Sequence, residues 1–434
     1  MMKPLVKMAA GNVVGPVTAI VVSPILARSL GVGGRGVYAA LTMPILMLGI
    51  VGTLGVQDGL AYSIAQRGLS PRRAFRYLWS ILPIASAATM VAAGVIGFLL
   101  FRNEPGGVLK SFLVLTLSLP LQIAYNMAIG IATGAADVKG VNGARIAPTI
   151  VRAVVVVSLC LATTVSPLTA AAVLLLSASI GLAWVRIRCR RAVLVEPEAA
   201  PVFARGAVLR FSMTAFPGVL AGVSTARLDQ IIGLPLIGAR QLGLYAVAVS
   251  LAEFPMVFGT AARSALLGMR AESVIATDGQ QLIRRVTGTV AVVAVAMGLA
   301  TWRLVPIVFG RDFTGVVIPA LILLGATVVY TVANCLSAAL LALGNASGQS
   351  RALLIGAAAS VGSLVGLRSF GATGASFASA IGYVVTAAMC FTLLHRDHGF
   401  SLRGAVLPNR GDVTWGARSL LRMVSFARLH GGTT

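Results

Sequence analysis

The charged residues embedded in long apolar stretches are the ones placed to do chemistry: Arg227, Asp229 and Glu253 well inside, and Arg28, Asp58, Arg152 and Arg263 nearer the ends. A guanidinium is a rigid fork of donors that fits phosphate or carboxylate oxygens two at a time. A carboxylate among apolar neighbours either pairs with a cation or takes and releases a proton. Arg227 stands about nine residues before the end of one apolar stretch and Glu253 about ten after the start of the next, so in an antiparallel hairpin they share a depth at about 1.5 Å per residue. The pair reads in two ways. Either Arg227 holds an anion, with Glu253 as its alternating partner or protonatable coupling group, or the two form a buried ion pair that fastens helix to helix. Asp229 lies two residues on, about 200° around the helix from Arg227, and is a separate coupling candidate. Pro255 removes a backbone donor just after Glu253, which suits a kinked helix at a gate.

The remaining candidates carry paired readings as well. Arg28 either contacts an anion or snorkels to the outer headgroups. Arg152 and Arg263 either line an inward-facing vestibule or snorkel, and Asp58, in GVQDGLAY, is placed to meet one of them. Asn126 and Asn334 serve helix packing or line a cavity. No spacing suggests a nucleophile or a metal site: Cys160, Cys189, Cys335 and Cys390 form no C-x-x-C, and His395, His398 and His430 fall at or beyond the last apolar stretch. The short outer loops hold Glu104 and Asp312 as their only carboxylates, so no enzyme is expected. No cofactor is expected either, beyond a coupling ion, proton or sodium.

These residues must be positioned by membrane helices. With 57% hydrophobic and 11% charged residues and a mean hydropathy of +0.92, the chain is an all-α polytopic membrane protein. Apolar stretches predict about twelve transmembrane helices at roughly 5–27, 37–64, 77–101, 108–133, 146–165, 167–185, 211–236, 243–268, 286–309, 315–341, 352–370 and 372–394. The first has no small-residue cleavage site behind it and reads as a retained span. The net charge of +23 lies in short loops and a tail rather than on a nucleic-acid surface. Its bias of roughly three to one between the two sides predicts a multi-pass protein of the cytoplasmic membrane with both termini inside. The basic segments Arg72 to Arg76 and Arg186 to Arg191, with the tail, are expected to meet anionic membrane lipids, and VTWGARSLLRMVSFARLH reads as a helix lying on that surface. Prolines at 16, 24, 44, 83, 120, 217, 235 and 319 imply bent helices.

The chain also repeats itself. Gly31, Gly36, Tyr38 and Ala39 recur as Gly238, Gly243, Tyr245 and Ala246, and Phe101, Gly107, Leu113 and Asn126 recur as Phe309, Gly315, Leu321 and Asn334. The offset is 207 in the first set and 208 in the second. This internal duplication predicts two six-helix bundles, residues 1–185 and 211–394, joined by a basic cytoplasmic linker over 186–210 and followed by a basic cytoplasmic tail over 395–434. Six is even, so the halves share one orientation about an axis along the membrane normal. The G-x-G-x-x-G in LGVGGRGVY joins two spans rather than opening a helix after a strand, so it is not read as a dinucleotide turn. Its copy IGARQLGLY lacks the middle glycine. Gly31 and Gly36 are therefore expected to end the first helix and shape an outer turn.

PILARSLGVGGRGVYA after the first helix, LDQIIGLPLIGARQLGLYAVA across the seventh and eighth, VPIVFGRDF before the tenth and FGATGASFASAIGY opening the last resemble the polysaccharide flippases, of O-antigen type. Those belong to the multidrug/oligosaccharidyl-lipid/polysaccharide exporter superfamily. The resemblance implies two bundles around a cavity that opens to one side at a time. It also implies a polyprenyl-pyrophosphate-linked oligosaccharide as cargo, and other polysaccharide-assembly membrane proteins as neighbours. On that reading Arg227, Arg28, Arg263, Arg152, Asn126 and Asn334 are the substrate contacts, and Glu253, Asp229, Asp58 and Pro255 the coupling or gating groups. A lipid II flippase and a multidrug-type small-molecule exporter are the alternatives within the superfamily. The lipid II flippases depart in having fourteen helices and more arginines early in the chain. A membrane enzyme of lipid-linked sugar assembly is the alternative outside it.

Overall fold

The structure, a computed structural model, describes residues 2–400 except 68, 106, 163–164, 193–204, 268, 270 and 276. The middle of the linker and the tail helix expected beyond residue 400 lie outside the described residues. Among those described there is no strand. That is the expected outcome where lipid offers the backbone no hydrogen bonds and each segment must satisfy its own.

The helices are α1 Met2–Val51, α2 Val56–Arg67, α3 Pro71–Phe101, α4 Val108–Thr116, α5 Leu119–Gly134, α6 Val138–Ala162, α7 Pro167–Leu176, α8 Ala178–Ala192, α9 Arg205–Leu267, α10 Ala271–Ile275, α11 Thr277–Val308, α12 Val317–Ala342, α13 Ala346–Gly366 and α14 Gly371–His398. Eight helical runs among the described residues are long and apolar enough to cross a bilayer, nine if α4 and α5, bent by 47°, form one span. Pro120 opens α5 and accounts for the bend, since it cannot donate back to the preceding turn. Two of the eight runs, 21–51 and 227–267, contain a break and so hold parts of two expected helices each.

Those breaks are at Gly31 (φ 67°, ψ 176°) and Gly238 (φ 78°, ψ 163°), a left-handed backbone that glycine alone adopts at little cost. In α9 the chain folds back there. Tyr245 Oη donates to Asp229 Oδ2, although sixteen residues would separate them by about 24 Å along a straight helix. Gly31 thus ends the first helix as expected. Gly36 does not belong to the turn: it lies inside the following helix, and its glycine character serves packing.

A Cβ on Gly36 would collide with the Ala239 carbonyl, and a Cβ on Gly243 with the Val32 carbonyl. Both pairs relate by the sequence offset of 207, so the contact has the reciprocity of an isologous interface. Other contacts follow the same offsets. Gly52 packs on Ile123 where Gly259 packs on Thr331, and Gln122 donates to Leu175 O where Tyr330 meets Tyr383 edge to face.

The chain divides into two compact units, residues 1–247 with 368–372, and residues 248–367 with 373–434. The first has a core around Leu60, Leu78, Ile123, Met127 and Ile131. In it the expected continuous helix over 37–64 is interrupted at residues 52–55, where Leu54 and Gly55 take positive φ. The interruption re-aims α2 so that Gly55 and Gly59 lie against Val208 and Ser212 of α9, and Tyr62 stacks on Phe211 at 4.3 Å. In the turn after α5, Asp137 accepts two hydrogen bonds of 2.8 Å from Arg188 of α8 and one from the Gly140 amide. The second unit's core gathers Leu266, Ile283, Cys335, Leu336, Leu340, Cys390 and Leu394.

Two outcomes follow. Gly36→Leu or Gly243→Leu forces the crossing backbones apart and should cost about 1–3 kcal/mol, the usual cost of overpacking, while Gly33→Leu, facing open space, should cost little. Thermal unfolding of the purified variants measures this, and equal losses at all three positions would contradict it. The Arg188 guanidinium holds the Asp137 carboxyl below its usual range. A carboxyl depressed on folding stabilises the fold above its unfolded pKa, about 3.9, and that contribution is lost as pH falls through the lower folded value. Asp137→Asn should therefore lose stability at neutral pH and show a flatter fall in melting temperature below about pH 4.

Candidate functional site

Within the second unit, three helices bring polar groups to the end of the bundle where α9 stops. Arg263, one turn before the last residue of α9, points its Nη1 at Asn334 Oδ1 (3.4 Å) and Ser337 Oγ (3.2 Å) of α12. Gln349, in the first turn of α13, donates to the same Ser337 Oγ at 3.0 Å. Asn334 and Ser337 are three residues apart on α12 and so share its face, which is why one guanidinium reaches both. Asn345 caps α13 by accepting from the Gly348 amide, which sets where Gln349 stands.

The charge balance of this cluster is unusual for a spanning helix. Among the described residues no carboxylate lies within ion-pair distance of Arg263, whose hydrogen-bond partners are neutral. Asn334 Nδ2 is buried without a hydrogen-bond partner. A guanidinium and an amide donor with spare capacity therefore lie together, and an anionic oxygen is the ligand that both would accept.

Sequence reasoning named Arg263 and Asn334 separately but missed Ser337 and Gln349. The signal was available in the repeat: Arg263, Ser337 and Gln349 correspond to Val56, Ile129 and Val141 in the first copy, while Asn334 corresponds to Asn126. Asn126 uses its amide for packing, donating to Gly49 O at 3.1 Å and Gln122 O at 2.9 Å. One copy is polar where the other is apolar.

The other candidates are dispersed. Arg28 is exposed on α1 just before the Gly31 break. Arg152 is half-buried on α6, and Asp58 is half-buried in the first turn of α2, with no ion pair between them. Arg227 is half-buried in the first unit, and Glu253 is half-buried in the second, with Pro255 buried two residues on. Asp229 accepts from Tyr245 and from the Gln230 amide at 2.8 Å. Its counterpart in the first copy is Val22, and there Tyr38 instead lies under the Arg35 guanidinium, 5.0 Å from the ring centroid. Arg35, in LGVGGRGVY between Gly31 and Gly36, is only 7% exposed. Among the described residues no group of three His, Cys, Asp or Glu is placed to hold a metal.

No protein-family model matches the sequence, and no curated protein is detectably similar to it. Solved structures are similar in fold. An inward-facing multidrug resistance MATE family transporter of the MOP superfamily superimposes with a TM-score of 0.65 at 15% identity, covering 89% of this chain and 97% of the other. The lipid II flippase MurJ in an inward closed conformation gives 0.71 at 10% identity, covering 99% and 94%. A MOP superfamily transporter from Pyrococcus furiosus, described as having a binding pocket of reverse polarity, gives 0.61 at 15% identity over 90% and 94%. This multi-pass membrane protein thus has the helical fold shared by MATE multidrug transporters and the flippase MurJ.

Proposed function

We propose that this chain flips a polyprenyl-pyrophosphate-linked oligosaccharide across the cytoplasmic membrane by alternating access, for cell-surface polysaccharide assembly. The observation that carries the reading is Arg263, a cation in a spanning helix hydrogen-bonded only to neutral groups, beside the unpaired amide of Asn334. Holding a partly buried guanidinium without a counter-charge is costly, and that cost is offset where an anion visits. A diphosphate headgroup supplies oxygens for both donors, with Ser337 and Gln349 fixing their direction. Arg227 is a second contact on this reading, and Glu253 and Asp229 are the coupling carboxylates for proton or sodium. The excess of basic residues on one side supports both termini being cytoplasmic. The flippase motifs of the sequence favour the oligosaccharide. Lipid II, the cargo named for MurJ, is the second reading, favoured by that structure's TM-score of 0.71 over 99% of this chain.

Deleting the gene should cause one lipid-linked oligosaccharide to accumulate on the cytoplasmic leaflet. Accumulation of lipid II instead would select the second reading, and accumulation of neither would argue against a flippase. Complementation then tests the site. At equal membrane abundance, Arg263→Gln should weaken cargo binding about 10- to 100-fold, as expected for loss of charge-assisted hydrogen bonds worth about 1.5–3 kcal/mol. Ser337→Ala should have a smaller effect. Full transport by Arg263→Gln would remove the site from the mechanism.

A further inference from the structure

The inner ends of α3 and α8 carry a second basic cluster, in the first unit, that the transport reading does not use. Arg72, Arg76 and Trp79 are exposed and spaced four and three residues apart, so they form one stripe on α3. Across from it, the exposed Arg186 of α8 places its guanidinium 5.7 Å from the centroid of the Trp79 ring. Neither helix contains an acidic residue. Asp137, in the turn before α6, is engaged by Arg188 of α8 through two hydrogen bonds. The ring of Trp79 is 43% exposed, and Trp184 of α8, 42% exposed, rests its indole edge on Gly143.

The order along α3 matches a bilayer boundary. Arg72 and Arg76 come first, Trp79 follows, and then come the aliphatic residues from Ile81 on, of which Ile84 is 75% exposed. Arginines at headgroup depth, an amphipathic ring at the interface and aliphatic side chains beyond are the sequence of chemistries met along one anionic phospholipid. The Arg186 guanidinium lying over the indole is held in place by the ring's negative face, so its donors are pre-oriented before a ligand arrives.

We infer that the surface shared by α3 and α8 binds the headgroup of an anionic phospholipid, with Arg72, Arg76 and Arg186 on its phosphate and Trp79 at the glycerol level. The charge complementarity and the depth of the ring commit the site to a membrane lipid rather than to a soluble phosphate.

The test uses the full-length chain with Trp302 and Trp415 replaced by Phe, in phosphatidylcholine nanodiscs. Small amounts of lipid with brominated acyl chains quench tryptophans that they touch. Brominated phosphatidylglycerol should quench more strongly than brominated phosphatidylcholine, with a preference of about fivefold for each arginine in contact. The triple variant Arg72→Gln, Arg76→Gln and Arg186→Gln should lose the preference. The equally depleted Arg303→Gln, Arg311→Gln and Arg368→Gln, near helix ends expected on the other side, should keep it, which separates a site from net charge. Equal quenching by the two lipids in the parent chain, or a preference that survives the triple variant, would overturn the inference. Abolition of the preference by millimolar glycerophosphate would replace it with a site for free phosphate.

Discussion

Two helices that touch backbone to backbone set the frame of the first unit. Gly36 against Ala239 and Gly243 against Val32 leave no room for a single methyl group, so the distance between the two segments is fixed by main-chain atoms rather than by side chains. Membrane helices have little hydrophobic drive to associate, because lipid is as apolar as a neighbouring helix, and close approach over small residues supplies dispersion instead. The approach is possible only because Gly31 and Gly238 have just broken their helices with positive φ, aiming each following segment at the other. The four glycines thus work as a set. Two turn the chain and two let the turned segments meet.

That contact is reciprocal, and reciprocity makes the exceptions informative. Where both copies keep a contact, as Gly52 on Ile123 and Gly259 on Thr331 do, the residues hold the scaffold. Where one copy replaces Val56, Ile129 and Val141 by Arg263, Ser337 and Gln349, packing does not require the change, since the first copy fills the same positions with aliphatic groups. Burying an arginine, a serine and a glutamine together is costlier than burying valine and isoleucine unless their hydrogen bonds are met. Here Arg263, Ser337 and Gln349 do meet one another through hydrogen bonds, and the proposed anion site is the reading that gives the set a use. Asp229 with Tyr245 is a second departure of this kind, facing Val22 and Tyr38 in the first copy.

Much of the fold was legible because apolar length and glycine position are local signals. The stretches that predicted helices over 108–133, 146–165 and 315–341 correspond to α4 with α5, α6 and α12, and Gly31 ends a helix as its spacing implied. The break at 52–55 was hidden, since GTLG sits in an uninterrupted apolar run and only its packing on α3, α5 and α9 reveals the re-aimed chain. Gly36 was misplaced for the same reason: a packing glycine and a turning glycine look alike in sequence. The site was half legible. A charge in a span announces itself, so Arg263 was found, but serine and glutamine in a helix do not, and Ser337 and Gln349 acquire meaning only by meeting across three helices. Depth can be counted along a sequence, which is what marks Arg227 and Glu253, whereas the neutrality of the neighbours of Arg263 is visible only in the fold.

On the proposed reading, that neutrality sets Arg263 apart from a structural arginine. A guanidinium fastened by a carboxylate has its charge compensated in every state, and removing the partner is what destabilises. Arg188 on Asp137 is of this type, two-pronged and at the rim, where it ties the α5 turn to α8. Arg263 has Asn334 and Ser337 at 3.4 and 3.2 Å, long bonds to neutral oxygens that orient the group without neutralising it. Gln349 also donates to the Ser337 hydroxyl, so the network orients the guanidinium, and on the proposed reading its compensation comes from a bound anion. An anion that arrives there gains both the charge and the stranded Asn334 amide. One that leaves returns the bundle to its uncompensated state, so binding need not be tight to be strongly felt by these helices.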